Sequence, residues 1–293
     1  MNRTLVGILC GLGAASIWGG MYVVSKVVLE IIPPFALVTL RLVLGAITLA
    51  IVLLLRGFPK ISRGQALEVL GVGIVGYGIS LSLQFLGTKL STAANGSLVT
   101  SATPAFVLLF AWFLLKERIT SRRLIALSLA TLGVIAVIDP RSAQLKPDLF
   151  LGNLLLLGAG VTWALYSVLV RKVTQDIDVL LFSLIAFLGG LPVSIPAAVW
   201  ELSILGIGKI TLGVIGGILF LGIISTALAM VLWNTAFAYV DANLASLTFF
   251  AQPVVGILLG WLFLGETISP LFLLGGLLIG IGLIIASREK QPT

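Results

Sequence analysis

The sequence predicts an all-α integral membrane protein with ten transmembrane helices, arranged as two inverted repeats of five helices each. Three observations carry this prediction: an apolar composition with bilayer-length runs, an internal repeat, and an uneven distribution of basic residues between alternate loops. Hydrophobic residues make up 59% of the 293 residues and charged residues only 10%. Soluble domains carry about 25% charged residues, so this chain has too little polar surface to coat a soluble globule.

Apolar runs bounded by charge, Pro or Gly define the elements in order, each close to the length of about 20 residues that spans a bilayer. In the first half the predicted helices are 4–29, 34–55, 65–88, 92–115 and 121–138, bounded by Arg3, Glu30, Arg56, Arg63, Lys89, Lys116, Arg118 and Asp139. In the second half they are 150–173, 179–200, 210–239, 243–264 and 269–286, bounded by Asp148, Arg171, Asp178, Glu201, Lys209, Asp241, Glu266 and Arg288. The polar stretch 139–148 separates the two predicted repeats, 1–140 and 149–293, within one membrane domain.

Three other classes of protein fit the sequence less well. A β-barrel would show alternating segments of about 10 residues, but runs such as 151–157 and 271–278 do not alternate. The net charge of +7 does not indicate nucleic acid, because the basic residues flank helix ends. The first run exceeds a signal-peptide core of about 7–15 residues and matches an internal segment, so it is expected to stay as helix 1. The single Cys10 excludes a disulfide within the chain.

The internal repeat is defined by one spacing that occurs twice. Twelve residues separate Pro104 from Glu117, and the same interval separates Pro253 from Glu266, 149 positions later. Further identities keep this offset: Ala93 with Ala242, Ser97 with Ser246, Leu98 with Leu247, Ala102 with Ala251, Trp112 with Trp261, and Gly133 with Gly282. A second set keeps an offset of 145: Gly7 with Gly152, Leu12 with Leu157, Gly13 with Gly158, Ala14 with Ala159, and Trp18 with Trp163. In membrane proteins such repeats are typical of transporters whose site lies between the halves.

The basic residues orient the predicted helices. With the N-terminus in the cytoplasm, twelve Lys and Arg residues fall in cytoplasmic segments and five on the other side, with Arg41 inside helix 2. This bias predicts that both termini are cytoplasmic. Because each repeat has an odd number of helices, the second repeat enters the membrane inverted. Glu117 is therefore expected at the cytoplasmic face and Glu266 at the outer face.

The motifs resemble those of the drug/metabolite transporter superfamily, in its EamA-type branch of ten-helix carriers. The resemblance covers nearly the whole chain and rests on Gly-Ala-Ala-Ser-Ile-Trp-Gly-Gly at 13–20, the blocks 104–120 and 253–269, and the Gly-rich helices that end each half. Within this superfamily the chain is most similar to the YddG-type exporters of aromatic and other neutral amino acids. The resemblance implies a bacterial inner-membrane carrier with a central cavity. Lys116 departs from the family pattern, whereas the second repeat keeps the more usual Gly265.

Candidate substrate-binding residues are polar and aromatic side chains at mid-membrane, where a substrate must exchange its water for protein groups. They are Trp18, Tyr77, Ser80, Gln84, Asn95, Ser97, Thr100 and Ser101 in the first half, and Trp163, Tyr166, Trp233, Asn234 and Gln252 in the second. Ser and Thr also bond between membrane helices, so a packing role is the alternative for each of them. The repeat mates Trp18 and Trp163 predict an aromatic cavity wall, which suits aromatic or apolar side chains.

Arg41, Pro104, Glu117, Pro253 and Glu266 are predicted to have gating or structural roles. Arg41 is a charge inside a predicted helix, at a cost of about 2.5–3.5 kcal/mol unless it is paired or hydrated. It either locks helix 2 to a helix end or a carbonyl, or binds a substrate carboxylate. Each proline frees a backbone carbonyl one turn earlier, which suits an ammonium group. Both glutamates follow apolar runs and are expected to cap the next helix or to close a gate.

The predicted function is export of small neutral metabolites, amino acids including aromatic ones, by alternating access through a central cavity. The chain has no His and no acidic residue at the centre of a predicted helix, which favours transport without strong proton coupling. The alternatives are proton antiport of cationic drugs or other metabolites, and an intramembrane enzyme. No metal, cofactor or nucleic acid is expected. The expected partners are the amino-acid substrate and the lipid bilayer, with monomer and homodimer both open.

Overall fold

The computed structural model describes residues 3–91, 99–100, 102–138, 149–264 and 270–288, and every regular element in these ranges is helical. In chain order the helices are α1 (Arg3–Leu29), α2 (Pro34–Arg56), α3 (Arg63–Leu90), α4 (Thr103–Leu115), α5 (Ser121–Ile138), α6 (Phe150–Val173), α7 (Val179–Leu205), α8 (Leu212–Tyr239), α9 (Ala242–Leu247), α10 (Ala251–Leu264) and α11 (Pro270–Ser287). Among the described residues, six helices are long and apolar enough to cross a membrane: α1, α2, α3, α6, α7 and α8.

Local sequence signals set many of the helix ends. Ser62 and Gln65 form a reciprocal capping box at the start of α3, with N–H to side-chain oxygen distances of 3.1 and 3.2 Å. Asp178 caps α7 by accepting the backbone N–H groups of the second and third helical residues. Lys116 ends α4 in the left-handed conformation, with a φ of 57°. The polar residues between the apolar runs therefore terminate helices as well as separate them.

Two predicted helices need correction. The helix predicted at 179–200 ends later, at Leu205. The helix predicted at 243–264 is divided by a 3₁₀ turn at Thr248–Phe250, because Pro253 has no N–H to bond one turn back and the chain tightens before it. Of the helix predicted at 92–115, residues 92–98 and 101 lie outside the described residues.

Helices α3 and α8 each contain a π-helical stretch, at Ile74–Ser80 and Phe220–Leu228. A π-helical turn shifts the backbone hydrogen bond from the fourth to the fifth preceding residue, which rotates the following side chains relative to an α-helix. Such stretches are frequent at functional sites. Tyr77 and Ser80 lie on the first stretch, and Ser225 and Thr226 on the second.

Glycine allows α5 and α11 to pack backbone against backbone. A Cβ atom on Gly133 would lie 2.7 Å from the Gly275 carbonyl oxygen, and one on Gly282 would lie 2.7 Å from the Ala126 carbonyl oxygen. Glycines also allow close approach in two other helix pairs. Gly7 of α1 lies against Tyr239 and Val240 at the end of α8, and Gly152 of α6 lies against Leu90 and Ser91 at the end of α3. Small residues permit this close approach of helices where lipid supplies no hydrophobic drive between them.

Large apolar side chains cover the outside of the molecule, and many polar side chains are buried within it. Leu55, Phe113, Trp112 and Trp200 are all more than half exposed. A surface of this kind suits a lipid environment, in which exposed apolar side chains are not in contact with water.

Gly133→Ala is expected to destabilise the protein, because the added methyl group would meet the α11 backbone at 2.7 Å and neither helix can yield locally. Overpacking of this kind costs about 1–3 kcal/mol, which outweighs the gain of about 1 kcal/mol in helix propensity. The measurement is the thermal unfolding midpoint in detergent.

Gly276→Ala is the matched control, because a Cβ atom there has no neighbour within 4 Å. This variant should melt at or above the wild-type temperature. Equal melting temperatures for the two variants would contradict close packing of α5 on α11.

Candidate functional site

A cavity lies between the helices, with walls from both halves of the chain. Its lining consists of Trp18, Met21, Arg41, Ser80, Leu81, Gln84, Thr100 and Thr103 from the first half, and Ala159, Gly160, Trp163, Met230, Phe249 and Gln252 from the second. Pockets for small molecules combine apolar walls with a few polar groups. This cavity has the composition of a small-molecule site.

Eight of the fourteen lining residues fall into four pairs at the spacing of the sequence repeat. Trp18 and Trp163 stand at the offset of 145, whereas Leu81 with Met230, Thr100 with Phe249, and Thr103 with Gln252 stand at the offset of 149. Equivalent positions of the two halves therefore face the same space. The chemistry within a pair often differs, as in Thr100 and Phe249, so the two walls are not equivalent.

Aromatic rings form a continuous wall on one side of the cavity. The Trp18 and Trp163 rings meet edge to face with centroids 5.6 Å apart, and Trp18 contacts Trp233 at 5.3 Å and Phe249 at 6.1 Å. The Trp18 Nε1 donates to the Ser225 carbonyl oxygen at 3.0 Å, which fixes that ring against the π-helical stretch of α8. The Trp163 Nε1 is buried and has no hydrogen-bond partner among the described residues. The predicted aromatic cavity wall is thus present, with one indole donor unused.

Four of the predicted binding residues form a buried layer behind this wall and do not line the cavity. Tyr166 donates to Asn234 Oδ1 at 2.7 Å, the Tyr77 and Tyr166 hydroxyl groups are hydrogen-bonded to each other, and Asn234 Nδ2 donates to Ser183 Oγ at 2.9 Å. Trp233 donates to Ser167 Oγ at 3.0 Å. These contacts place Tyr77, Tyr166, Trp233 and Asn234 where they support the wall. Direct contact of these residues with substrate stays a prediction.

Polar side chains occupy the side of the cavity near the end of α3. Gln84 Nε2 donates to the Tyr22 hydroxyl at 3.0 Å, and that hydroxyl lies 3.3 Å from Thr100 Oγ1. Ser80 Oγ donates to the Ala159 carbonyl oxygen at 2.9 Å and so joins α3 to α6. The predicted site residues Asn95, Ser97 and Ser101 lie outside the described residues.

Arg41 is fully buried and lines the cavity. Its Nε donates to Thr226 Oγ1 at 2.9 Å, its Nη2 donates to Ser225 Oγ at 3.4 Å, and its Cζ lies 4.7 Å from the centroid of the Phe85 ring. The predicted structural partner, a helix end or a carbonyl, is therefore wrong, because the partners are two hydroxyl groups on the π-helical stretch of α8. The Nη1 atom is buried and has no partner among the described residues.

Glu117 joins the end of α4 to the start of α9. Its Oε1 accepts the Ala242 backbone N–H at 3.0 Å, its Oε2 accepts the Asn243 side-chain amide at 2.6 Å, and Arg123 bridges it to Asp241 at 3.5 and 3.4 Å. Glu117 therefore binds the start of α9 across the molecule instead of capping the next helix, and its expected gating role stays a prediction. All residues of 242–250 are buried.

A second carboxylate has the same role at the opposite end. Glu201 of α7 accepts the backbone N–H groups of Phe35 and Ala36 at 2.8 and 3.2 Å, at the first turn of α2. Lys26 and Lys89 donate to backbone carbonyls of this end at 3.2 and 3.5 Å. A carboxylate at a helix N-terminus is favoured by the helix dipole and satisfies free N–H groups.

The two predicted prolines lie at helix starts. Pro104 and Pro253 are buried in the first turns of α4 and α10, where a missing N–H costs no helical hydrogen bond. Neither proline lines the cavity. Glu266 lies outside the described residues.

Sequence reasoning missed several residues of the site. Phe249 and the methionines Met21 and Met230 line the cavity but were not predicted. The repeat offers the signal that was overlooked for Phe249, because it is the repeat mate of the predicted residue Thr100. Ser225 and Thr226 are polar residues inside the predicted helix 210–239, but only the packing of α2 against α8 brings them to Arg41.

A multi-helical fold with an apolar outer surface and a cavity between its two halves is compatible with a membrane transporter. Comparison with known families agrees, because the sequence pattern of the EamA-like transporter family matches twice, at residues 5–138 and 150–288. The chain therefore belongs to the EamA-like transporter family, and it is a multi-pass membrane transporter rather than an enzyme.

The relatives have transporter names. The chain is 26% identical to the "Uncharacterized transporter YetK" of Bacillus subtilis, over 98% of this chain and 89% of that protein. It is 29% identical to the "Probable amino-acid metabolite efflux pump" of Salmonella typhimurium, over 92% of this chain and 90% of that protein. A solved crystal structure at 21% identity covers 96% of both chains with a TM-score of 0.79, which shows that the fold is shared.

Glu117 should make stability depend on pH. Burial is the main cause that raises the pKa of Glu117 above its usual 4.5, and nearby Asp241 raises it further, against the lowering effects of the α9 N–H groups and Arg123. The folded state therefore binds this proton more tightly than the unfolded state does. The contribution of Glu117 to the free energy of unfolding is largest below pH 4.5 and falls as pH rises through the raised pKa.

Glu117→Gln, which cannot titrate, isolates this contribution. The wild-type melting temperature minus that of the variant should fall as pH rises from about 4 to about 8, whatever the other carboxylates do. A difference that rises with pH, as for a carboxylate with a lowered pKa, would show that the charge interactions outweigh burial.

Proposed function

We propose that this transporter exports small neutral metabolites, with amino acids including aromatic ones as its substrates, by alternating access through the central cavity. The observation that carries the proposal is the lining of that cavity. Rings of Trp18, Trp163 and Phe249 lie beside the cationic Arg41 and the polar side chains of Thr103 and Gln252. An apolar or aromatic side chain would be buried against the rings while the polar end of the molecule meets the polar groups. This specificity is the one expected from the resemblance to YddG-type exporters.

Alternating access is supported by the relation between the two halves. We propose ten membrane-spanning helices in two inverted five-helix repeats, with both termini in the cytoplasm of a bacterial inner membrane. The family pattern matches once per half. Reciprocal close contacts support a two-fold relation, since Gly133 meets Gly275 and Ile279, while Gly282 meets Ala126 and Ala130 at the same offset of 149. Two halves related in this way can exchange conformations, so that a central site opens to one face and then to the other.

The charge of the cavity lining favours neutral substrates over cationic ones. Among the described residues that line the cavity, Arg41 is the only charged one and none is a carboxylate. A buried cation repels a cationic drug, and a proton-coupled carrier commonly keeps an acidic or His side chain in its pathway. Neutral zwitterions without strong proton coupling therefore fit the cavity better than cations exchanged for protons. The name of the Salmonella relative, an amino-acid metabolite efflux pump, agrees with this substrate class.

Purified protein in liposomes preloaded with phenylalanine should take up labelled phenylalanine and methionine without an imposed pH gradient. Lysine and a quaternary ammonium should exchange poorly, because each brings net positive charge to Arg41. Threonine tests whether a small polar side chain is accepted. Exchange of the quaternary ammonium without exchange of phenylalanine, or exchange only under a pH gradient, would contradict the proposal.

Trp163→Ala should weaken phenylalanine uptake, because it removes one face of the aromatic wall. Aromatic pairs contribute about 0.5–1.5 kcal/mol beyond burial, so the apparent affinity should fall by at least about twofold, and by about tenfold at the upper end of this range. Trp112→Ala is the matched control, since Trp112 is 56% exposed on the outside of α4. Normal uptake by a normally expressed Trp163→Ala protein would remove Trp163 from the site.

A further inference from the structure

Arg41 carries a charge that has no anionic partner among the described residues. Among the described residues, the ion pairs of arginines are those that Arg123 makes with Glu117 and Asp241. The partners of Arg41 are two neutral hydroxyl groups, and one arm of its guanidinium has no hydrogen bond. An unneutralised buried cation with an unused donor is costly. An anion that enters the cavity would supply both the charge and the missing acceptor.

The guanidinium is also held in one orientation. The Thr226 hydroxyl donates to the Leu221 carbonyl oxygen at 2.7 Å, and this bond directs a lone pair of Oγ1 toward Arg41 Nε. The Phe85 ring lies at 4.7 Å from Cζ and limits rotation of the group. A fixed guanidinium fork matches the two oxygens of a carboxylate better than it matches a single polar atom. Thr226 is therefore a positioning residue for this fork.

Three further groups on residues of the cavity lining are buried without a partner among the described residues, and their chemistry is complementary. The Trp163 Nε1 is a donor only, whereas the Gln252 Oε1 is an acceptor only. The Thr103 hydroxyl can serve as either. A carboxylate requires donors, and an ammonium group requires acceptors. Residues of the cavity lining carry groups of both kinds.

We infer that Arg41 and the Trp163 Nε1 form the subsite for the substrate carboxylate, and that the oxygens of Gln252 and Thr103 receive the ammonium group. This inference rests on the proposed transport function and narrows the proposed substrates to molecules with a free carboxylate. A free carboxylate is the required feature of the substrate, so an amide or an amine with the same side chain is rejected. The aromatic wall then selects the side chain.

Competition for labelled phenylalanine uptake into proteoliposomes tests the subsite. Phenylalanine and 3-phenylpropionate, which keep the carboxylate, should compete with the wild-type protein, whereas phenylalaninamide and phenethylamine, which lack it, should compete at least about tenfold more weakly. In Arg41→Gln the apparent affinity for phenylalanine should fall by about tenfold or more, and the preference for the carboxylate should disappear. Equal competition by the amide and the acid in wild type, or an unchanged preference in Arg41→Gln, would overturn the inference.

Two other variants separate recognition from folding. Arg41→Lys keeps the charge without the fork and should bind phenylalanine more weakly while still preferring the carboxylate. Thr226→Val removes the orienting hydroxyl and should likewise lower affinity with the preference retained. If both variants instead lost the preference together with affinity, Arg41 would have a structural role only.

Thermal stabilisation distinguishes failure of this inference from failure of the proposed function. If wild-type liposomes exchange no amino acid of the panel, the proposed function is wrong. The test of the carboxylate subsite is then whether 3-phenylpropionate raises the melting temperature of the wild-type protein. A rise in wild type that is absent in Arg41→Gln supports the carboxylate subsite, and an equal effect or no effect on the two proteins overturns it.

Discussion

Burial of a permanent cation in an apolar helical protein is the constraint on which the centre of this structure depends. Arg41 cannot lose its charge as a lysine could, so the surrounding helices must supply polar atoms. They do so through Ser225 and Thr226, which lie on a π-helical stretch of α8. The same stretch offers the Ser225 carbonyl to the Trp18 indole. One local change of helical geometry therefore holds both the cation and the aromatic wall of the cavity.

The scaffold is repeated, but the site within it is not. Positions related by the repeat face the same cavity, yet Thr100 stands opposite Phe249 and Leu81 opposite Met230. The cation belongs to the first half alone. Repetition of the scaffold suits a mechanism in which two halves exchange conformations, whereas the unpaired Arg41 and the pair of Thr100 with Phe249 make the two walls of the cavity different.

Carboxylates bind helix N-termini at both ends of the molecule. Glu117 binds the start of α9 at one end, and Glu201 binds the start of α2 at the other. In each case a carboxylate from a distant helix satisfies N–H groups that no helical carbonyl can reach. The segment 242–250, which follows the Glu117 contact, is buried.

The sequence by itself determined the class of protein, the positions of most helices and the aromatic character of the cavity. These features follow from hydropathy, from capping residues and from the mates Trp18 and Trp163, all of which are local or repeated signals. Only the tertiary structure decided that Tyr77, Tyr166 and Asn234 lie behind the wall, that Glu117 binds α9, and that the hydroxyls of α8 hold Arg41. The physical reason is that hydrogen bonds between distant helices depend on which helices pack together and how they are rotated. The π-helical stretches change that rotation, and hydropathy carries no signal for them.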